Sequence, residues 1–313
     1  MKSVIRDTDI RNLDELCLEA EGALQQCARQ EAHWRSLGLT DFFARLDILA
    51  IYSPLTSGWP MAVSPAFPSI AKGFEHQKRL ASLAKSIPSI DPRDLEDFYP
   101  GHKTALEQIA EELNSAWYNP IVQIGSILLN DGSDKMLAHI PLIRRGIFTS
   151  PWFPITGHLH ALLPHRPASV SQWYEAVFEA TIQTAVAVQE IASRLEQQRQ
   201  RNVEIYEHHR AVSGRQKVLR EDSAEARILS KLPATPVLTH SLAVQEHGVS
   251  LSAAKRALED LCAAGILSKG APTKFGAKTY LATHVVSEYQ HLQRTWPRPA
   301  PMVGKFSSVD VIS

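Results

Sequence analysis

The sequence predicts a mainly α-helical protein with a helical N-terminal part, one long helix, and a small C-terminal unit of three helices closed by a β-hairpin. Three observations carry this expectation. Apolar residues recur at three- and four-residue steps through most of the first half of the chain. The stretch from 169 to about 210 contains neither proline nor glycine, so nothing in it interrupts a helix. Two short apolar-polar alternations, 266–269 and 278–281, flank a segment containing glycine and proline, which is the pattern of a hairpin.

Near the N-terminus, Leu13, Leu16, Cys17, Ala20, Ala23, Leu24 and Cys27 fall on one stripe, with Glu15, Glu19 and Gln26 outside it. This is the pattern of a helix packed on a core. Segment 52–68 holds four prolines and one glycine. Because proline fixes φ and removes a donor, a loop or a set of turns is expected there. Helices resume at 76–87, at 103–117, where Leu106, Ile109, Ala110, Leu113 and Trp117 share a face, and at 120–129. Asn130, Asp131, Gly132 and Ser133 read as a tight turn or cap, followed by a helix over 136–146 that Gly146 would stop. In the long segment, Trp173, Val177, Ala180, Thr184, Ala187 and Ile191 run down one face. Its second half, rich in Gln and Arg, reads as a linker or a pairing surface. A Ser-Gly break at 213–214 marks a boundary. The expected organisation is a helical domain (1–168), a long helix and linker (169–222), a terminal domain (223–285) and a tail (286–313).

Composition bounds the function. Over 313 residues the chain is 44% apolar and 21% charged with no net charge, which fits a globular protein and not one built wholly around a polyanion. No apolar run is long enough for a bilayer span, so a cytoplasmic protein without membrane contact is expected. Cys17, Cys27 and Cys262 lack metal-ligand or disulfide spacing. His158, His160 and His165 read as loop histidines between prolines, and His208 and His209 as a surface pair. No metal or cofactor is expected.

The basic charge is concentrated at the C-terminal end. From 210 to 280 there are eleven lysines and arginines against six acids. Ser223 is placed to cap a first short helix over 223–232, and Thr239 a second over 239–247. Gly248, Val249 and Ser250 then turn the chain, and a third helix over 251–264 is ended by Gly265. In that third helix Ala254, Ala257, Leu258 and Leu261 make the inward face. Ser250, Ser252, Ala253, Lys255 and Arg256 are left as candidates to approach base edges, while Lys269, Lys274 and Lys278 on the hairpin are candidates to neutralise phosphates. The order helix, helix, turn, helix, hairpin is that of a winged helix-turn-helix domain, and VSLSAAKRALEDLCAAGIL resembles the recognition-helix segment of many bacterial regulators. Double-stranded DNA is the expected partner. A homodimer is expected with it, since such readers bind paired half-sites.

A second resemblance covers the N-terminal part. The segment ILLNDGSDKMLAHIPLI, followed by Arg145, Gly146 and Ile147, resembles the core of the Fic family of AMP-transferring enzymes. On that pattern Asp131 and Gly132 match the family's Asp-Gly pair, and Ile140, Pro141 and Leu142 its later helix. The family's catalytic histidine falls on Ile127, which cannot accept a proton. Its phosphate-cradling Asn-Gly-Arg falls on Ser133, Asp134 and Lys135, where Asp134 adds charge and bulk. The family's inhibitory-helix signature has a counterpart at 53–58 with Ser57 in the glutamate position. The resemblance therefore implies a Fic-like domain without catalytic residues, used for sensing or dimerisation. An AMP-transferase with a divergent site and a protein adaptor remain the alternatives.

Overall fold

In the computed structural model the described residues are 7–52, 68–86, 89–96, 103–115, 119–129, 135–162, 167, 169–214, 218–273 and 276–295. They form a mainly helical molecule with one small three-stranded antiparallel sheet. In chain order the helices of the N-terminal part are α1 (Asp7–Ser36), α2 (Leu39–Tyr52), α3 (Pro68–Ser86), α4 (Lys103–Asn114), α5 (Pro120–Leu129), α6 (His139–Arg144), α7 (Ile155–Leu162) and α8 (Val170–Val212).

The stripe from Leu13 to Cys27 lies on α1, which runs along α8; Cys27 Sγ approaches the Ala185 carbonyl at 3.8 Å. Helices α5 and α7 also pack on α8, and the Trp173 indole donates to the Gly125 carbonyl at 3.0 Å. An aromatic cluster of Trp34, Phe43, Phe148, Trp152 and Phe153 fills the centre. The buried Glu31 ties α1 to this cluster, accepting from the Trp152 indole and the Thr149 amide, both at 3.0 Å. Such a carboxylate is tolerated in a core because its oxygens are satisfied.

Several boundaries differ from expectation. The helix expected from 76 begins at Pro68, and proline at the first helical position carries no penalty. The helix expected over 136–146 is a 3-10 turn (Lys135–Ala138) followed by the short α6, with Gly146 (φ +67°) as its stop. His158 lies on α7 and not in a loop; its Nδ1 is 3.0 Å from Thr184 Oγ1 on α8. The segment 169–210 is one continuous helix whose N-cap is Ser169. Its polar half does not simply project into water, since Asn202 and Tyr206 are buried.

The C-terminal part is α9 (Ala224–Ser230), β1 (Val237–Leu238), α10 (His240–His247), α11 (Leu251–Ala263), β2 (Leu267–Gly270), β3 (Thr279–Ala282) and α12 (Thr283–Thr295). The sheet order is β1-β3-β2, and Lys269 lies opposite Tyr280. Each hairpin strand is displaced by one residue from the expected range. Strand β1, which pairs Val237 with Leu281 and Leu238 with Tyr280, had no counterpart in the sequence pattern.

Where a tail was expected beyond 285, α12 packs against the helical body. The Tyr289 ring lies 4.2 Å from that of Phe42, and Arg194 on α8 pairs with Glu288 at 2.6 Å. The buried Arg45 of α2 donates to the Ala234 carbonyl in the turn after α9. Gly38, between α1 and α2, has φ +69°, and a Cβ there would meet Ala234 Cβ at 2.9 Å. The two parts thus share one continuous core.

This close approach makes a testable difference between two glycines. Gly38→Ala should cost about 2 kcal/mol or more in urea unfolding, combining left-handed strain with the clash. Gly146→Ala should cost only about 1 kcal/mol, because nothing lies within 4 Å of its Cβ position. Equal losses would remove the approach to Ala234 as the cause.

Candidate nucleic-acid interface

Helices α10 and α11 begin at side-chain caps. Thr239 Oγ1 accepts from the Leu242 amide at 3.1 Å, and Ser250 Oγ from the Ala253 amide at 3.2 Å. Each bond satisfies one of the amides a helix start leaves unpaired. The turn between the helices is made by Gly248 (φ +62°), whose carbonyl accepts from the Arg227 guanidinium at 3.2 Å. On α11, Ala254, Ala257, Leu258 and Leu261 are buried. That single apolar stripe turns Ser252, Lys255 and Arg256 outward, and all three are exposed.

Among the residues the sequence singled out, Ser250 has its hydroxyl engaged in the cap and 3.2 Å from Ser252 Oγ. Ala253 is only half exposed and packs against the core, so it is a packing residue more than a surface contact. Lys278 is exposed at the foot of β3. Lys269, expected to neutralise a phosphate, forms an ion pair with Glu259 of α11 (Nζ to Oε2, 2.8 Å). A phosphate would have to compete with that carboxylate. Lys274 lies outside the described residues. Around it the hairpin loop is closed by its own bonds, Thr273 N to Ala277 O at 2.9 Å and Gly276 N to Thr273 O at 2.8 Å.

The ion pair belongs to a chain of hydrogen bonds joining four elements. The Tyr280 hydroxyl on β3 donates to Glu259 Oε1 at 2.8 Å, and His240 Nε2, at the start of α10, is 3.0 Å from the same hydroxyl. The bonds from Lys269 and Tyr280 hold the Glu259 carboxyl below the usual range, so it is ionised near neutrality. Glu259 in turn raises Lys269. Burial, with Glu259 second, raises Tyr280, which stays a phenol. Burial lowers His240, and the positive charges of Lys255 and Lys278 lower it further. Lys255 and Lys278 thus both act electrostatically on His240. The expected site did not include His240, Tyr280 or Glu259. The signals were a tyrosine among the apolar positions of a strand and an acid on the outward side of α11.

In the N-terminal part, Ile127 is fully buried on α5, within a cluster that includes Leu106, Leu137 and Ile140. Lys135 opens the 3-10 turn. Asp131 and Gly132, with Ser133 and Asp134, lie outside the described residues, as does the segment around Ser57. Among the described residues no group of three or more His, Cys, Asp or Glu side chains could hold a metal. Burial pushes the Cys27 thiol up to about 11, which leaves it unreactive near neutrality. No described helix is long and apolar enough to cross a membrane. No protein-family model matches the chain, and no curated protein matches it.

Proposed function

We propose that this protein is a DNA-binding transcription regulator of the cytoplasm, whose C-terminal unit is a winged helix-turn-helix domain. In this reading α11 is the recognition helix, β2 and β3 form the wing, and a homodimer binds double-stranded DNA. The helical N-terminal part is a Fic-like pseudoenzyme domain that senses an effector or mediates dimerisation. The observation that supports the reading most is the outward face of α11, where the small Ser252 precedes the exposed cations Lys255 and Arg256. Small residues in the first turns let a helix lie close to base edges, while cations meet guanine edges and phosphates. Lys278 is exposed at the foot of β3, and its positive charge acts on Glu259 of that helix.

Against catalysis stands Ile127, where the Fic resemblance requires a base, buried among apolar side chains. Selection of bound duplexes from a random DNA pool, followed by a mobility shift across a salt series, tests the proposal. Recovery of one motif and an affinity that falls steeply with salt are expected. The absence of any shift at low salt would remove DNA binding as the function.

A further inference from the structure

We propose that His240 is a further DNA contact on this face, taking up a proton at Nδ1 and bonding a backbone phosphate as the complex forms. DNA affinity then rises as pH falls. The proposal rests on the DNA-binding reading above, but its own basis is the hydrogen-bond chain around Tyr280.

That chain decides which imidazole nitrogen titrates. A tyrosine hydroxyl has one proton, and Tyr280 directs it to Glu259 Oε1 at 2.8 Å. The hydroxyl can then only accept from His240 Nε2, 3.0 Å away, so Nε2 carries hydrogen. Protonation is left to Nδ1. The ring is held through this bond, since Tyr280 is fully buried and Glu259 is also gripped by Lys269. The imidazole is thus positioned before any ligand arrives, with its centroid 5.4 Å from that of Tyr280.

The charged groups that act on it are Lys255 and Glu259 from α11 and Lys278 beside β3, with the neutral Tyr280 phenol on β3. Without DNA, burial and the two lysines disfavour the imidazolium, while Glu259 only partly opposes them. A phosphate neutralising Lys255 and Lys278 removes that repulsion and adds an acceptor for the new N–H. The free protein therefore holds a neutral His240 at neutrality, and the complex holds a charged one. Linkage gives the sign, because the bound state carries the extra proton and is favoured by acid.

The test is the affinity for a mixed-sequence duplex of about 25 base pairs at low salt, by fluorescence anisotropy from about pH 8 to about pH 5.5. Wild-type protein should bind roughly tenfold more tightly at the acid end, one unit of pKa elevation on binding corresponding to tenfold. His240→Gln, which cannot take up the proton, should flatten the profile, whereas His291→Gln on α12 should retain it. Calorimetric titration of the wild type in two buffers of different ionisation enthalpy should show proton uptake, which keeps the proposal testable if His240→Gln fails to fold. A flat wild-type profile, an unchanged slope in His240→Gln, or no proton uptake would overturn the role of His240 while leaving DNA binding intact. Absence of binding at every pH would instead overturn the DNA-binding reading.

Discussion

Replacing Lys255 and Arg256 together by alanine should weaken binding to the selected DNA sequence by about 100-fold, with little change in stability. A good base contact contributes about 1–3 kcal/mol of discrimination, and removing one together with a phosphate interaction corresponds to roughly 30- to 1000-fold. Both side chains are exposed on α11 and lie off its buried stripe, so alanine removes charge without opening the core. Alanine is also the best helix former, and surface changes of this kind usually fall within about 0.5 kcal/mol. The salt dependence should become shallower by about one to two in slope, one for each phosphate no longer neutralised. Lys278→Ala, acting on backbone alone, should weaken all sequences alike. Equal affinity of the double variant and wild type for the selected sequence, with unfolding midpoints unchanged, would show that α11 is not the reading element.

Acidification should destabilise the folded chain at two histidines, one buried and one half-buried. His247, on α10, is 7% exposed and has Nε2 3.1 Å from Thr235 Oγ1; burial pulls its pKa down to about 4. Burial also lowers His158, on α7, to about 4. An unfolded histidine titrates near about 6.5. Between these values the unfolded chain binds a proton that the folded chain does not, so stability rises with pH. It is fully present above about 6.5 and is lost progressively as the pH falls toward about 4. Each shift corresponds to at most about 3 kcal/mol, and the share of His158 is smaller because water reaches part of its side chain. Against a typical total of about 5–15 kcal/mol, this is a large loss. Urea unfolding at about pH 7 and about pH 4.5 measures it. Replacing both histidines by asparagine should remove most of the difference, and an equally steep fall in that variant would assign acid sensitivity to carboxylates instead.

Parts of the fold were legible to the residue. Helix α5 occupies 120–129 as its apolar run suggested. Ser223 and Thr239 cap the helices they were expected to cap, and Gly146, Gly248 and Gly265 all take positive φ where a helix stops. These features are local, since a cap closes within three residues and a left-handed glycine needs only its own backbone. Strand β1 was not legible because two residues carry no alternation; it exists by pairing with β3, more than forty positions away. Helix α12 has apolar positions at Val285, Tyr289 and Leu292, but it takes distant partners such as Phe42 and Arg194 to order them against the body.

The candidate interface divides in the same way. Residue order alone makes α11 amphipathic, with buried Ala254, Ala257, Leu258 and Leu261 behind exposed Ser252, Lys255 and Arg256, because helical periodicity decides which side chains share a face. The fate of the hairpin cation Lys269 depends instead on the packing of β2 beside α11, which brings Glu259 to within 2.8 Å. The bond of His240 to Tyr280, forty positions later, arose the same way. Spacing along a chain specifies faces within one element. Which charge meets which across elements depends on how strands pair and helices dock, and those choices follow from burying the whole apolar surface at once.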